Sequence, residues 1–277
     1  MNKAWHSLII DTAGAAVEFK LNDRAALEGL ENLYAPFSTT KSPSWTIEVF
    51  CDDAIDYMFL DEQEIDHTTA QRERIWLRTP VSAGSVSIKR RDGFIHLLKS
   101  DLPRAFGLFF NFLYLTVAGQ EGKPYIHASG VIENGKAFLF SGPSGAGKTT
   151  VLKNLAGKSI IHDDNIFIEL NGSGPQAVTL PYMGYDEFVH GNPQLFPVGG
   201  VFLLHKDTKT FTAPVDRATA MGRLLTVPLE QRGTQPNIQS ENYLKAAMKT
   251  VGALVESCDC RELHFTIDRL PPDLFEV

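Results

Sequence analysis

Short alternating runs of apolar and polar residues dominate the first hundred positions of the chain. Each run is bounded by Gly, Asp, Pro or Ser, which is typical of strands joined by turns. The runs are Trp5–Ile10, Ala15–Leu21, Trp45–Cys51, Ile75–Thr79, Ser85–Lys89 and Gly93–Leu98. The acidic stretch 52–66 interrupts them and is interpreted as a surface helix or loop. We therefore predict a smaller, mostly antiparallel β-rich N-terminal domain over residues 1–100.

The pattern changes after Leu102. Pro103 suits the first turn of a helix, and the apolar stretch from Ala105 to Ala118 that follows is shorter than the roughly 20 residues that cross a bilayer. It predicts a buried helix. The later predicted elements are a hairpin of Tyr125–Ile132 and Ala137–Ser141 around Asn134-Gly135, a helix Val151–Leu155, strands Ser159–Ile161, Ile166–Leu170, Val198–His205 and Phe211–Pro214, helices Arg217–Leu225 and Ser240–Val255, and a strand Leu263–Ile267. Together they predict an α/β domain over residues 101–277.

Composition and charge narrow the classes of function. Of 277 residues, 43% are hydrophobic and 21% charged, which is typical of a globular chain. A net charge of −7 argues against a nucleic-acid partner, and no segment has the length of a signal peptide or a membrane span. The three cysteines include no C-x-x-C pair, so neither a disulfide framework nor a zinc ribbon is predicted. We expect a cytoplasmic protein without nucleic-acid or membrane partners, and the sequence leaves homo-oligomer formation open.

One motif carries specific chemistry. Residues 142–150 read GPSGAGKTT and satisfy the P-loop pattern G-x-x-x-x-G-K-[ST], with a strand-like run before them and a helix-like run after them. In this pattern the loop's backbone N–H groups surround phosphate oxygens, Lys148 reaches the β- and γ-phosphates, and the Thr149 hydroxyl coordinates Mg²⁺. The alternative is a glycine-rich turn that binds nothing. We expect ATP and Mg²⁺ here, and the predicted binding residues are Gly142, Pro143, Ser144, Gly145, Ala146, Gly147, Lys148, Thr149 and Thr150.

Other polar residues could complete a site for phosphoryl transfer. Asp163 and Asp164 follow a short strand-like run, where adjacent carboxylates can hold Mg²⁺, orient a water or deprotonate a hydroxyl, although a solvated turn is the alternative. His127 lies on the strand before the loop, and packing in the core is the alternative role for it. One of three later arginines could stabilise a transferring phosphoryl group. These arginines are Arg217, Arg223 and Arg232.

The stretch HASGVIENGKAFLFSGPSGAGKTT, followed by IIHDD, resembles the core of HPr kinase/phosphorylase and its diverged relatives, including kinases found beside peptide natural-product genes. The resemblance covers residues 125–169 and implies an α/β fold with an HPr-kinase/PEP-carboxykinase-like P-loop core and a mixed sheet. It implies that Asp164 is the base that takes the proton from an acceptor serine, and that Asp163 helps Thr149 to hold the metal. It also implies catalytic roles for His127, Lys148 and, in its Arg-Gly segment, Arg232.

The loop ends in Lys148-Thr149-Thr150, where the family usually has Lys-Ser-Glu, and this favours a diverged kinase over HPr kinase itself. The sequence therefore predicts an ATP- and Mg²⁺-dependent serine kinase that transfers the γ-phosphate to a hydroxyl of a protein or peptide. Two alternatives stay open. One is a nucleotide-dependent regulatory or binding module with little or no transferase activity, and the other is a small-molecule kinase.

Overall fold

A computed structural model describes residues 5–12, 15–57, 74–120, 123–179, 182–183, 188–189, 194–230 and 241–276. The chain divides into two compact units, the first formed by residues 1–121 with 181–190 and the second by residues 122–180 with 191–277. Each unit combines helices with a sheet of mixed parallel and antiparallel strands. The mixed α/β class predicted from the sequence is confirmed.

The described part of the first unit contains a six-stranded sheet and two α-helices. Its elements are β1 (His6–Thr12), β2 (Ala15–Leu21), α1 (Arg24–Tyr34), β3 (Trp45–Asp52), β4 (Arg74–Arg78), β5 (Ser82–Ser87), β6 (Asp92–Leu98), α2 (Leu102–Gln120) and the short pair β12 (Tyr182–Met183) and β13 (Phe188–Val189). The sheet order is β1-β2-β3-β6-β5-β4, and both β2–β3 and β3–β6 are parallel. The other three pairs, β1–β2, β4–β5 and β5–β6, are antiparallel, so the mostly antiparallel arrangement is confirmed. The pair β2–β3 is parallel because α1 carries the chain back between these two strands. Of the acidic stretch 52–66, residues 58–66 lie outside the described residues.

Aromatic packing attaches both helices to one face of this sheet. Phe106 and Phe110 of α2 lie against Phe19 of β2 and Tyr34 of α1, with ring centroids 4.9–6.2 Å apart. The apolar stretch after Pro103 is thus a buried helix, as predicted. Because this helix packs on the first sheet, the first unit ends about one helix beyond residue 100. Within the described residues, no helix is long and apolar enough to span a membrane.

The second unit is built on a second mixed sheet. Its elements are β7 (Tyr125–Glu133), β8 (Lys136–Ser141), α3 (Lys148–Asn154), β9 (Ser159–His162), β10 (Asn165–Asn171), β11 (Gly174–Val178), β14 (Leu195–Lys206), β15 (Phe211–Pro214), α4 (Arg217–Glu230), α5 (Glu241–Ser257) and β16 (Asp259–Phe265). The order is β11-β10-β7-β8-β14-β16-β15, with β9 beside β7. Because β14 pairs with β11 through its first residues and with β8 further on, the five strands β11, β10, β7, β8 and β14 close into a ring. The sequence pattern did not predict this ring.

Two features of the second sheet place the glycine-rich loop. The hairpin β7–β8 turns at Asn134-Gly135, where both residues have positive φ and Glu133 pairs with Lys136, so the predicted two-residue hairpin is confirmed. Strand β8 runs parallel to β14, which runs parallel to β16. The loop leaves β8 at the carboxyl edge of these three strands, which is the edge where α/β sheets bind ligands.

A buried phenylalanine supports the junction between the loop and α3. Gly147 caps the helix with φ of 105°, and a Cβ atom there would lie 2.6 Å from the Phe265 ring of β16. Phe265 is 2% exposed and belongs to the core cluster that includes Val151 and Leu152 of α3. A residue with a side chain at 147 would therefore have to displace this ring.

We predict that Phe265→Ala lowers the free energy of unfolding by about 3–5 kcal/mol, since the truncation leaves a cavity under the loop. Phe211→Ala is the matched control, because Phe211 lies on the neighbouring strand β15 and is 41% exposed. Urea denaturation of both variants gives the comparison. Equal losses would contradict a supporting role for Phe265.

Candidate functional site

The loop 142–147 presents an open backbone at the carboxyl end of β8. The Ala146 N–H donates to the Pro143 carbonyl at 3.0 Å, which closes a turn inside the loop. Gly145 has φ of 78°, and apart from its two chain neighbours no described residue has an atom within 4 Å of the position that its Cβ would take. Ser144, Gly145 and Thr149 are exposed. The tip of the loop is therefore open to solvent.

Lys148, the first residue of α3, is 8% exposed, and its ammonium group lies among groups from three elements. Its Nζ donates to the Gly142 carbonyl at 3.1 Å and lies 2.6 Å from His127 Nε2 of β7. Asp164 Oδ1, in the turn between β9 and β10, is 3.7 Å from the same Nζ. The structure thus brings together Lys148, His127 and Asp164, which the sequence analysis proposed as one site.

The neighbours of His127 decide its tautomer. Because the lysine is a donor, Nε2 of His127 is the acceptor and its proton is assigned to Nδ1, which lies 3.3 Å from Asp164 Oδ1. That pair is within ion-pair distance but lacks the geometry of a hydrogen bond. Burial lowers the pKa of His127, and the charge of Lys148 lowers it further against the opposing charge of Asp164. His127 is therefore neutral at physiological pH.

Burial also lowers the pKa of Lys148, and the carboxylates of Asp164 and, less strongly, Asp163 oppose that effect. A buried ammonium is costly unless charge or hydrogen bonds compensate it. Asp164 is the nearer compensating charge, and its side chain is 47% exposed. The carboxylate thus connects a buried lysine to a solvent-accessible space beside the loop.

His162 was missed by the sequence analysis, although it stands directly before Asp163 in IIHDD. Its Nδ1 accepts the backbone N–H groups of Asp164 and Asn165, each at 3.0 Å, and this holds the turn that carries both aspartates. Burial lowers its pKa to about 3, and the nearby His127 acts in the same direction. The signal in the sequence was a polar residue at the end of a short apolar run, directly before the two aspartates.

Asn165, the first residue of β10, was also missed. It is 5% exposed and pairs with His127 across β10 and β7. Its Nδ2 donates to Asp164 Oδ2 at 3.2 Å. This contact between sequence neighbours orients the carboxylate. The placement of Asn165 opposite His127 is what only the register of the two strands reveals.

The predicted metal ligands supply the oxygen atoms that Mg²⁺ prefers. Thr149 exposes its hydroxyl in the first turn of α3, and Asp163 lies in the same turn as Asp164, with its Oδ1 3.6 Å from His162 Nδ1. A hydroxyl with one or two carboxylates, completed by waters and phosphate oxygens, is a suitable ligand set for this ion.

The arginines do not complete the site in the described part of the chain. Arg232 lies outside the described residues. Arg217 is exposed at the start of α4. Arg223 lies on the sheet face opposite α3, where it contacts His205, Glu262 Oε1 at 3.3 Å and the Leu204 carbonyl at 3.2 Å.

No protein-family model matches the chain, and no curated protein matches its sequence. The site is therefore interpreted from its own geometry. That geometry joins a glycine-rich loop to a buried lysine, a neutral histidine and an exposed carboxylate.

We predict that the second unit loses stability in mild acid because of His162. The unfolded chain protonates this residue near pH 6.5 and the folded chain near pH 3, so its contribution to stability is complete above pH 6.5 and falls as the pH falls. Between pH 7 and pH 5 the loss from this one residue is about 2 kcal/mol. His127 contributes in the same direction.

His162→Asn should reduce that loss, since an amide oxygen can accept the same backbone N–H groups without titrating. The measurement is urea denaturation of both proteins at pH 7 and pH 5. The same pH dependence in wild type and variant would show that His162 is not the responsible group.

Proposed function

We propose that the chain is an ATP- and Mg²⁺-dependent kinase that transfers the γ-phosphate to a hydroxyl group of a protein or peptide. One observation carries the proposal: the P-loop lysine lies against both a neutral histidine and a carboxylate. A structural glycine-rich turn has no need for that combination. A kinase needs it, since the lysine holds phosphate and the carboxylate accepts a proton.

In the proposed mechanism Lys148 exchanges its partners for phosphate oxygens. The Gly142 carbonyl and His127 Nε2 are neutral acceptors, whereas phosphate oxygens are charged and form stronger hydrogen bonds with an ammonium group. The change of partners also removes the cation from Asp164. Nucleotide binding and release of the carboxylate are thereby coupled through one side chain.

Asp164 then acts as the general base. Asn165 holds its Oδ2, which leaves Oδ1 to accept the proton of the acceptor hydroxyl. His127 Nδ1 carries the ring proton and lies 3.3 Å from that oxygen, so the ring faces the carboxylate without competing for the proton. When bound, Mg²⁺ neutralises charge on the phosphates, and Thr149 and Asp163 are the residues that would hold it.

The resemblance to HPr kinase/phosphorylase and its relatives supports a serine hydroxyl as the acceptor and an HPr-kinase/PEP-carboxykinase-like core as the finer fold. A regulatory nucleotide-binding module is the second candidate. The observation that favours it is that Lys148 already has hydrogen-bond partners, which a nucleotide would have to displace. Binding without transfer would support the module.

We predict that Lys148→Ala abolishes ATP binding, because the variant lacks the cation that reaches the phosphates. Lys153→Ala is the matched control, since Lys153 is an exposed lysine of the same helix. Isothermal titration with Mg²⁺ and a non-hydrolysable ATP analogue measures both, and circular dichroism checks the fold. Equal affinities in wild type and Lys148→Ala would refute nucleotide binding at this loop.

We predict that Asp164→Asn keeps ATP binding but reduces phosphate transfer by about 10²–10⁴-fold, since the amide cannot accept a proton. The assay follows labelled γ-phosphate from ATP to a library of serine-, threonine- and tyrosine-containing peptides and to small hydroxyl compounds. Asp163→Asn is the matched variant and should instead lower the affinity for Mg²⁺, so that more Mg²⁺ is needed for the same rate. Full activity in Asp164→Asn would rule out the general base, and identical losses in both variants would indicate a single metal-binding pair.

A further inference from the structure

A second polar cluster lies at the carboxyl ends of β14 and β16, on the sheet face opposite α3. His205 of β14 and His264 of β16 are register partners, and Glu262 lies two residues before His264 on the same face. His205 Nε2 is 3.0 Å from Glu262 Oε1, and His264 Nε2 is 3.5 Å from Glu262 Oε2. Among the described residues these three form the one group of histidine, cysteine or acidic side chains whose ligand atoms converge within 4.8 Å.

The hydrogen-bond partners of these side chains leave unprotonated acceptor atoms of the histidines facing the carboxylate of Glu262. Asp207 Oδ2 lies 2.9 Å from His264 Nδ1, which assigns the proton to Nδ1 and leaves a lone pair on Nε2 toward Glu262. The carboxylate of Glu262 therefore faces the lone pair of His264 Nε2, at 3.5 Å from Oε2.

The position of Arg223 shows that these acceptor atoms attract a cation. Its Nη1 lies 2.5 Å from His205 Nε2 and 3.3 Å from Glu262 Oε1. Since a guanidinium is only a donor, His205 Nε2 is also an acceptor. Three acceptor side chains therefore converge, and the guanidinium of Arg223, which extends from α4, lies between those of His205 and Glu262. The Arg223 side chain is 29% exposed and can withdraw toward solvent.

We propose that His205, Glu262 and His264 bind a divalent transition metal of the zinc class, with Asp207 orienting His264 and Arg223 taking the cation's place when no metal is bound. Ligands at about 2.1 Å in a tetrahedral site lie roughly 3.4 Å apart, close to both histidine–carboxylate distances. Imidazole ligands select zinc-like ions over Mg²⁺, so this site is chemically distinct from the oxygen ligands near Lys148. With three protein ligands the metal keeps an open position.

The experiment titrates Zn²⁺ into tag-free full-length protein that a chelator has stripped of metal, in competition with a chromophoric indicator. We expect one Zn²⁺ per chain. His264→Ala and Glu262→Gln should weaken binding more than about 100-fold, and Asp207→Asn about 10- to 100-fold. Arg223→Ala should bind Zn²⁺ at least as tightly as wild type, because the competing cation is gone.

Two controls separate this site from the rest of the chain. His96 also has a carboxylate partner, Asp52 at 2.7 Å, and a stacked aromatic ring, Phe50, so His96→Ala should leave Zn²⁺ binding unchanged. His127→Ala removes the imidazole beside the loop and should likewise bind Zn²⁺ normally, and this holds whether or not the proposed kinase activity exists. Loss of Zn²⁺ binding in His127→Ala would place the metal at the loop and overturn the assignment.

The proposal also has a readout that needs no variant. Co²⁺ substituted into the wild-type site should give the visible absorption of a four- or five-coordinate nitrogen–oxygen site, and one equivalent of Zn²⁺ should abolish it. Absence of stoichiometric Zn²⁺ binding in wild type, or wild-type affinity in folded His264→Ala and Glu262→Gln, would refute the site.

Discussion

The contact between Lys148 and His127 is the constraint on which the second unit's site depends. A buried ammonium must have acceptors, and here each comes from a different element: the Gly142 carbonyl at the end of β8, the His127 ring on β7 and the carboxylate of Asp164 before β10. They meet because β7 lies between β8 and β10, with Asn165 in register opposite His127. A shift of β7 by one residue against its neighbours would turn His127 to the other face of the sheet, away from Lys148. The site therefore depends on the register of β7.

The two buried histidines accept hydrogen bonds from different kinds of donor. His127 accepts from a side chain that can leave, whereas His162 accepts from two backbone N–H groups that cannot. The first histidine is thus suited to follow a change in the lysine, and the second to keep the Asp163–Asp164 turn fixed. Both depend on remaining neutral, which is why burial that lowers their pKa values is consistent with their roles.

Features set by local chemistry could be predicted from the sequence, and features set by distant pairing could not. The Asn134-Gly135 hairpin and the helix after Pro103 follow from neighbouring residues, and the structure contains both. The P-loop pattern likewise placed Lys148 at the start of a helix, where it is the first residue of α3. The parallel pairing of β3, the ring closed by β11 and β14, and the pairing of Asn165 with His127 all join residues by register, which no local pattern encodes. The predicted role of Arg232 stays a prediction, because that residue lies outside the described part.

The alternation of side chains along β14 and β16 links the two faces of the second sheet. Phe265 lies under Gly147 on the face of α3, and His264, one residue earlier, points to the opposite face beside His205. The backbone pairing of β14 with β16 fixes the spacing of these strands, and it continues through His205–His264 to Lys206–Phe265, where Phe265 supports the loop. A metal held by His205, Glu262 and His264 would add a side-chain link across the same two strands in place of Arg223, which is partly exposed. The support under Gly147 therefore rests on the strand pairing, with or without a metal on the other face.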